Sequence, residues 1–272
     1  RLRAPSAAFR RSFCHGGAQV EVTTSGAVNT DSTYRVLDML AIQGFGVQVS
    51  LDGLEKRHNA IRGVPWAFAS VEHFVREAVR RGARVACAMA LIDQSSGEAE
   101  ATCALARSWG VSSFRLASVL SEGRAVGLEG EHPWRPSSVR RLLRSLQEKF
   151  ETEDFSVVLA DEEAVPNAEA LAYGCGTGER LWYVEPDFSV RPCPLLPETI
   201  GNLSRQTIET VRQNGARKMR AIADPSPERC GGCDRVDECK GCRAVGWATA
   251  HGEKSGRCLW WGTCFKSLDA EG

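Results

Sequence analysis

Val47-Gln48-Val49-Ser50-Leu51-Asp52-Gly53 alternates β-branched and polar residues and then breaks at Asp-Gly, the pattern of a strand that ends in a turn. Similar runs cover Gln19-Val20-Glu21-Val22-Thr23-Thr24 (closed by Ser25-Gly26), Arg84 to Leu91, Ser113 to Val119 and Phe155 to Leu159. Between them the apolar period changes from two to 3.6. Val36, Leu37, Leu40 and Ala41 form a stripe that starts near Ser32 and is stopped by Gly44. Phe68, Val71, Phe74, Val75 and Ala78 form a second, ended by Gly82. Glu98 to Trp109 is stopped by Gly110, and Ser137 to Phe150 carries Val139, Leu142, Leu143 and Leu146 at core spacing. Each stripe predicts a helix with one buried face. Strands recurring at a pitch of about 30 residues, with one helix between each pair, predict repeated βα units in a parallel sheet or barrel.

The chain has 272 residues, 43% hydrophobic and 25% charged, a composition that excludes a disordered chain. Its 34 basic and 34 acidic residues cancel, which removes the electrostatic case for a nucleic-acid or anionic-membrane binder. No apolar run approaches the ~20 residues of a membrane span. The expectation is therefore a cytoplasmic protein with no nucleic-acid or membrane partner. The first residue is Arg1 rather than Met, so the chain is expected to begin inside a longer product.

Eleven cysteines are the anomaly. An odd number in a chain without a secretory signal argues against a disulfide framework. Cys14, Cys87 and Cys103 are scattered and read as small buried hydrophobes. The other eight crowd between Cys175 and Cys264, where apolar periodicity decays into Gly, Pro and short segments. Such a region cannot bury a normal core, and metal ligation would supply the missing stability. A domain boundary is expected near residue 165. Cys230, Cys233, Cys239 and Cys242 fall within thirteen residues, suited to a closed tetrahedral zinc site or to an iron–sulfur cluster. With Cys175, Cys193, Cys258 and Cys264 added, eight thiols imply two sites.

In order, Cys175-Gly-Thr-Gly178, the hairpin-like Leu181 to Cys193, Gly201-Asn202, the Cys230/Cys233/Cys239/Cys242 group and Cys258 resemble a SPASM domain. This is the auxiliary-cluster domain of radical S-adenosylmethionine enzymes that modify peptides. Two positions depart from that pattern. Phe188 stands where the hairpin glycine is expected, and Cys239 and Cys242 are separated by two residues rather than three. The first half is similar to the same family. Thr24-Ser25-Gly26 sits where its barrels carry Thr-Asn-Gly at a strand end, and Ser50-Leu-Asp-Gly53 with His58 and Ile61-Arg62-Gly63 looks like its SLDG…H…RG segment. Gly110-Val111, Phe114-Arg115 and Gly123-Arg124-Ala125 match the last barrel unit. The family's CxxxCxxC motif for the catalytic cluster is not present in these 272 residues, nor is its GGEP segment. Either an N-terminal part is missing, or the chain is a non-catalytic relative.

The resemblance implies an α/β fold: a partial (βα) radical-SAM-type barrel at 1–165, its N-terminal units missing, followed by a small cysteine-rich SPASM domain at 166–272. It implies an enzyme that modifies a peptide or protein side chain by hydrogen abstraction. The alternative is a cluster- or zinc-bearing module that binds a precursor peptide without catalysis. Implied cofactors are two auxiliary [4Fe–4S] clusters, with S-adenosylmethionine and a further [4Fe–4S] cluster in the complete enzyme; this chain alone is expected to be inactive. The implied partners are a peptide or protein substrate and an electron donor such as a flavodoxin or ferredoxin.

Thr24, Ser50, Asp52 and Arg62 are the implied S-adenosylmethionine-binding residues. Arg62 otherwise reads as a surface ion-pair residue, and Asp52 as a turn residue ahead of Gly53. One auxiliary cluster is implied to take Cys230, Cys233, Cys239 and Cys258, the other Cys175, Cys193 and Cys242. Leu181 occupies the position of the second cluster's usual fourth cysteine, leaving Cys264 or an open iron site to complete it. Trp182, Tyr183, Trp260 and Trp261 read as aromatic cladding around the clusters, and His251 as a solvated loop residue.

Overall fold

The computed structural model describes residues 21–118, 136–159, 177–178, 181–194 and 196–221. The chain divides into two compact units, Arg1–Glu163 and Ala164–Gly272.

In the first unit five strands, β1 (Glu21–Thr24), β2 (Gly46–Ser50), β3 (Arg84–Leu91), β4 (Ser113–Ser118) and β5 (Ser156–Leu159), form one sheet in sequence order. All four pairings are parallel. Helices α1 (Asp31–Ile42), α2 (Glu55–Arg62), α3 (Ala67–Arg80), α4 (Ser96–Ser108) and α5 (Pro136–Phe150) complete the unit. The ends of the helices follow local chemistry. Thr30 caps α1 by accepting the Thr33 N–H, and Ser95 with Glu98 closes a reciprocal capping box on α4, each satisfying N–H groups that the first turn leaves unpaired. Gly63 ends α2 in the left-handed conformation, φ 73°, which a residue with a Cβ resists.

The register separates the two faces of the sheet. Val47 and Val85 stand in one row, Val49, Cys87, Phe114 and Val157 in the next, and Met89, Leu116 and Leu159 in a third. All are buried, within one core that also takes Val36, Leu37 and Leu40 of α1, Val71, Phe74 and Val75 of α3, Cys103 of α4 and Leu146 of α5. The alternate rows hold small or polar residues: Thr23, Gln48, Ala86, Ser113 and Ser156, then Ser50, Ala88, Arg115 and Val158. Side chains alternate between the faces of a strand. One face therefore builds the core against the helices, while the other is lined as the inside of a barrel wall.

The expected strands and the four expected helices are present, with described ends that differ by at most two residues. The short helix α2 is additional. Cys87 and Cys103 are buried in the core, as expected of small hydrophobes; Cys14 lies outside the described residues.

In the second unit β6 (Tyr183–Val184), β7 (Ser189–Arg191) and β8 (Gly201–Asn202) form an antiparallel sheet, followed by α6 (Ile208–Ala221). Val190, Ile200 and Val211 make its core, with Trp182 and Leu203 packed against them. Trp182 Nε1 donates to the Gly178 carbonyl at 2.9 Å. A Cβ on Gly215 of α6 would collide with that same carbonyl oxygen, so the helix can approach the 177–178 segment only through a glycine. The helix contradicts the expectation that the second unit decays into short irregular segments. Among its residues with described burial, Val211, Gly215 and Met219 alone are buried, a narrow stripe with a glycine at its centre. At the turn between β6 and β7, Phe188 takes φ 67°, the left-handed conformation that a hairpin glycine adopts without cost.

Candidate functional site

The carboxyl ends of parallel strands are where ligands bind in open α/β sheets and barrels, and the residues singled out by the sequence lie there. Ser50 closes β2 on the small, polar face of the sheet, and its hydroxyl has no hydrogen-bond partner among the described residues. Leu51 N–H continues the ladder to Ala88 O at 2.8 Å. Asp52 then leaves the sheet, and side chains take over its main-chain bonds. Its N–H donates to His58 Nδ1 (3.2 Å), and its carbonyl accepts from Gln94 Nε2 (3.1 Å).

Asp52 and His58 are 3% and 0% exposed. The Asp52 carboxylate is held by Arg62, whose Nε donates to Oδ2 at 2.7 Å, and His58 Nδ1 lies 3.4 Å from the same oxygen. His58 and Arg62 are four residues apart on α2, hence on one face of the helix. That face is turned onto Asp52 because Asn59 ties α2 to α3: its Nδ2 donates to Pro65 O and its Oδ1 accepts the Phe68 N–H, both at 2.8 Å. Arg62 is also in the last turn of α2, where a cation is favoured by the helix dipole.

Only the Nε edge of the Arg62 guanidinium is engaged. Its Nη groups have no hydrogen-bond partner among the described residues, and the side chain is 31% exposed. A guanidinium presents two edges that can grip a carboxylate, so the arrangement leaves one of them available.

Thr24 ends β1 in the register row of Val49 and Cys87 rather than that of Ser50. Its Oγ1 accepts the Gly26 N–H at 3.2 Å, and Gly26 turns there with φ 67°, a Cβ at that position meeting Val49 and Val71. Thr24 therefore shapes the β1 exit, whereas Asp52, His58 and Arg62 belong to one cluster just beyond Ser50. Sequence reasoning gave no role to His58 and did not find Gln94. Gln94 is 1% exposed and spans three main-chain groups: its Oε1 accepts the Ile92 N–H (2.7 Å) and its Nε2 donates to Ala90 O (3.0 Å) as well as Asp52 O.

At the amino ends of the strands lies a separate cleft of about 280 Å³, lined by Glu21, Arg84, Arg115, Glu153 and Asp154 among others. Its charges are mixed in sign and it is at the end of the sheet opposite Asp52.

Of the cysteines, Cys193 follows β7 and is 7% exposed. Cys175, Cys230, Cys233, Cys239, Cys242, Cys258 and Cys264 lie outside the described residues, as do His251, Trp260 and Trp261. Among the described residues no three His, Cys, Asp or Glu side chains gather as a metal site. No described helix is long and apolar enough to cross a membrane.

The parallel five-stranded sheet resembles a partial radical S-adenosylmethionine barrel, and a small antiparallel sheet follows it in the chain. The chain superposes on Streptococcus suis SuiB bound to S-adenosylmethionine with a TM-score of 0.69 at 15% identity, over 93% of this chain and 61% of that one. It superposes on native anSMEcpe with bound AdoMet with a TM-score of 0.58 at 18% identity, over 84% of this chain and 66% of that one. The chain thus spans less than two thirds of either protein. In sequence it is 24% identical over 254 residues to the AdoMet-dependent heme synthase of Methanosarcina barkeri, covering 85% of this chain and 71% of that protein. No protein-family model matches the chain.

Proposed function

We propose that this chain is the larger part of a radical S-adenosylmethionine enzyme with a SPASM auxiliary domain, acting on a peptide or protein side chain. The observation that carries this reading is the pairing of Asp52 with Arg62 at the β2 exit, with one guanidinium edge unpartnered among the described residues and Ser50, whose hydroxyl likewise has no partner among them, two residues before Asp52. A cation fork and a hydroxyl donor at the end of a parallel strand suit the carboxylate of an amino-acid ligand, and the methionine moiety of S-adenosylmethionine carries one.

When bound at a reduced [4Fe–4S] cluster, S-adenosylmethionine supplies the 5′-deoxyadenosyl radical that abstracts hydrogen. The residues of this chain bind and orient. Arg62 and Ser50 hold the ligand carboxylate, Asp52 holds Arg62, and Thr24 with Gly26 shapes the neighbouring strand exit. The small residues Ala90 on β3 and Ala117 on β4, paired on the inner sheet face toward its carboxyl end, leave room for a substrate side chain against a wall that excludes water.

In the second unit, one auxiliary [4Fe–4S] cluster would take Cys230, Cys233, Cys239 and Cys258, and the other Cys175, Cys193 and Cys242 with Cys264 or an open iron. Clusters held by these thiolates would accept or pass electrons at a potential set by burial and N–H···S bonds. A reducing cytoplasm and a flavodoxin or ferredoxin donor complete the reading.

A peptide substrate is supported by the structures of SuiB with its precursor peptide SuiA and of anSMEcpe with the Cp18Cys peptide, which share this fold. The sequence likeness to a heme synthase favours a second substrate class, a tetrapyrrole, on the same machinery.

The test is anaerobic reconstitution with iron and sulfide. The protein should take up about eight irons per chain, as two four-iron clusters require, and Cys193→Ala should remove close to half. Iron below one per chain, with stoichiometric zinc instead, would overturn the cluster assignment. Iron uptake without any S-adenosylmethionine binding would leave the non-catalytic peptide-binding module as the function.

A further inference from the structure

We infer that Gln94 and His58 are positioning residues for the ligand carboxylate. They fix the main chain at Asp52 so that its side chain grips Arg62 by the Nε edge and leaves the Nη edge facing the ligand. The inference rests on the reading of the β2 exit as an S-adenosylmethionine site and names how that site is kept in shape.

Beyond Leu51 the sheet no longer supplies partners, and both main-chain polar groups of Asp52 are met by side chains instead, the N–H by His58 Nδ1 and the carbonyl by Gln94 Nε2. An acceptor at Nδ1 places the imidazole proton on Nε2. That Nε2 is buried and has no partner among the described residues, which a residue kept for stability alone would not require. The histidine is present for its acceptor, aimed at the Asp52 N–H.

Gln94 works from the other strand. With Oε1 on Ile92 N–H and Nε2 on Ala90 O and Asp52 O, it joins the exits of β2 and β3 into one rigid piece. Neither residue touches Arg62 in this arrangement; each acts through Asp52.

The consequence is a specific pattern of coupling. Binding of S-adenosylmethionine and of its decarboxylated analogue is measured by equilibrium dialysis on the anaerobically reconstituted protein. Gln94→Met, which keeps the shape and loses all three bonds, should weaken S-adenosylmethionine by about tenfold, the effect of 1.4 kcal/mol. It should leave the decarboxylated analogue within about twofold. In an Arg62→Ala background, Gln94→Met should cost nothing further.

Gln94→Glu, which retains the acceptor for Ile92 N–H but not the donor to Asp52 O, runs the same comparison should the methionine variant fail to fold. Thermal melting and iron content establish folding independently of the ligand. Equal weakening of both ligands, or full weakening without Arg62, would overturn the positioning role while sparing the site. A reconstituted wild-type protein that binds neither ligand would overturn the site itself, and the positioning role with it.

Discussion

Arg115 on β4 reaches Gln48 on β2, its Nη1 donating to Gln48 Oε1 at 2.8 Å and also to a Glu21 carboxylate oxygen on β1. The side chain crosses β3 to do so, a span of two inter-strand spacings, about 10 Å. It can cross because β3 presents Ala86 and Ala88 on that face. Three strands are thereby tied on the inner wall without any apolar packing. Arg115→Met should lower stability by about 1.5–3 kcal/mol, the range for bonds to a charged group, seen as a lower urea midpoint at unchanged slope. An unchanged midpoint would reduce the arginine to decoration.

Gly215 sits in the middle of α6, where replacing glycine by alanine ordinarily stabilises a helix by about 1 kcal/mol. Here the sign should reverse, because the added methyl meets the Gly178 carbonyl oxygen and backbone cannot move aside as a side chain could. Gly215→Ala should destabilise the second unit by more than about 1 kcal/mol, read as faster proteolysis within residues 177–221. A more resistant protein would show that the helix does not pack on the Gly178 segment.

Phe188 is 56% exposed and carries φ 67°. A left-handed backbone costs a residue with a Cβ roughly 1–2 kcal/mol, and an exposed ring returns little burial energy. Phe188→Gly should therefore gain about 0.5–1 kcal/mol after the extra entropy of the unfolded glycine is offset. Differential scanning calorimetry would register a higher midpoint; a lower one would mean that the ring makes contacts that outweigh the strain.

Cys87 and Cys103 should be chemically silent and make the protein alkali-sensitive. Burial, assisted by the nearby Cys103, pushes the Cys87 thiol up from 9.0 to about 12. Burial pushes Cys103 up to about 12 as well, with Arg107 acting against it and Glu100 with it. Between pH 9 and 12 the unfolded chain loses thiol protons that the folded chain keeps, so the stabilisation present below pH 9 is lost as pH rises. The slope is up to about 1.4 kcal/mol per pH unit for each thiol. Urea titrations at pH 8, 9 and 10 should show the fall, and Cys87→Ala should shallow it. A wild-type slope that survives in Cys87→Ala, Cys103→Ala would place the alkaline sensitivity elsewhere.

The barrel wall was legible in the sequence because its two periods differ so sharply: Val47 to Leu51 alternates, whereas Phe68 to Ala78 repeats every three to four residues. Helix α2 escaped because Glu55 to Arg62 bears no apolar stripe; its one buried residue is His58, so the helix is oriented by polar contacts of His58 and Arg62 to Asp52 and of Asn59 to Pro65 and Phe68. Helix α6 escaped because its stripe is three residues wide with Gly215 at the centre, which reads as a breaker. Ser50, Asp52 and Arg62 were visible through motif order alone. Gln94 was not, since its value comes from the neighbouring β2 exit, 42 residues earlier in the chain.

The strict alternation of β2 carries a cost for anyone who would edit it. Adding or deleting a single amino acid between Gly46 and Ser50 would send Gln48 and Ser50 into the oily layer and push Val47 and Val49 toward the opposite face of the sheet. Changes of two residues would keep the sidedness and merely slide Asp52 along its neighbours. Lineages of this protein should therefore hardly ever vary the length of that strand.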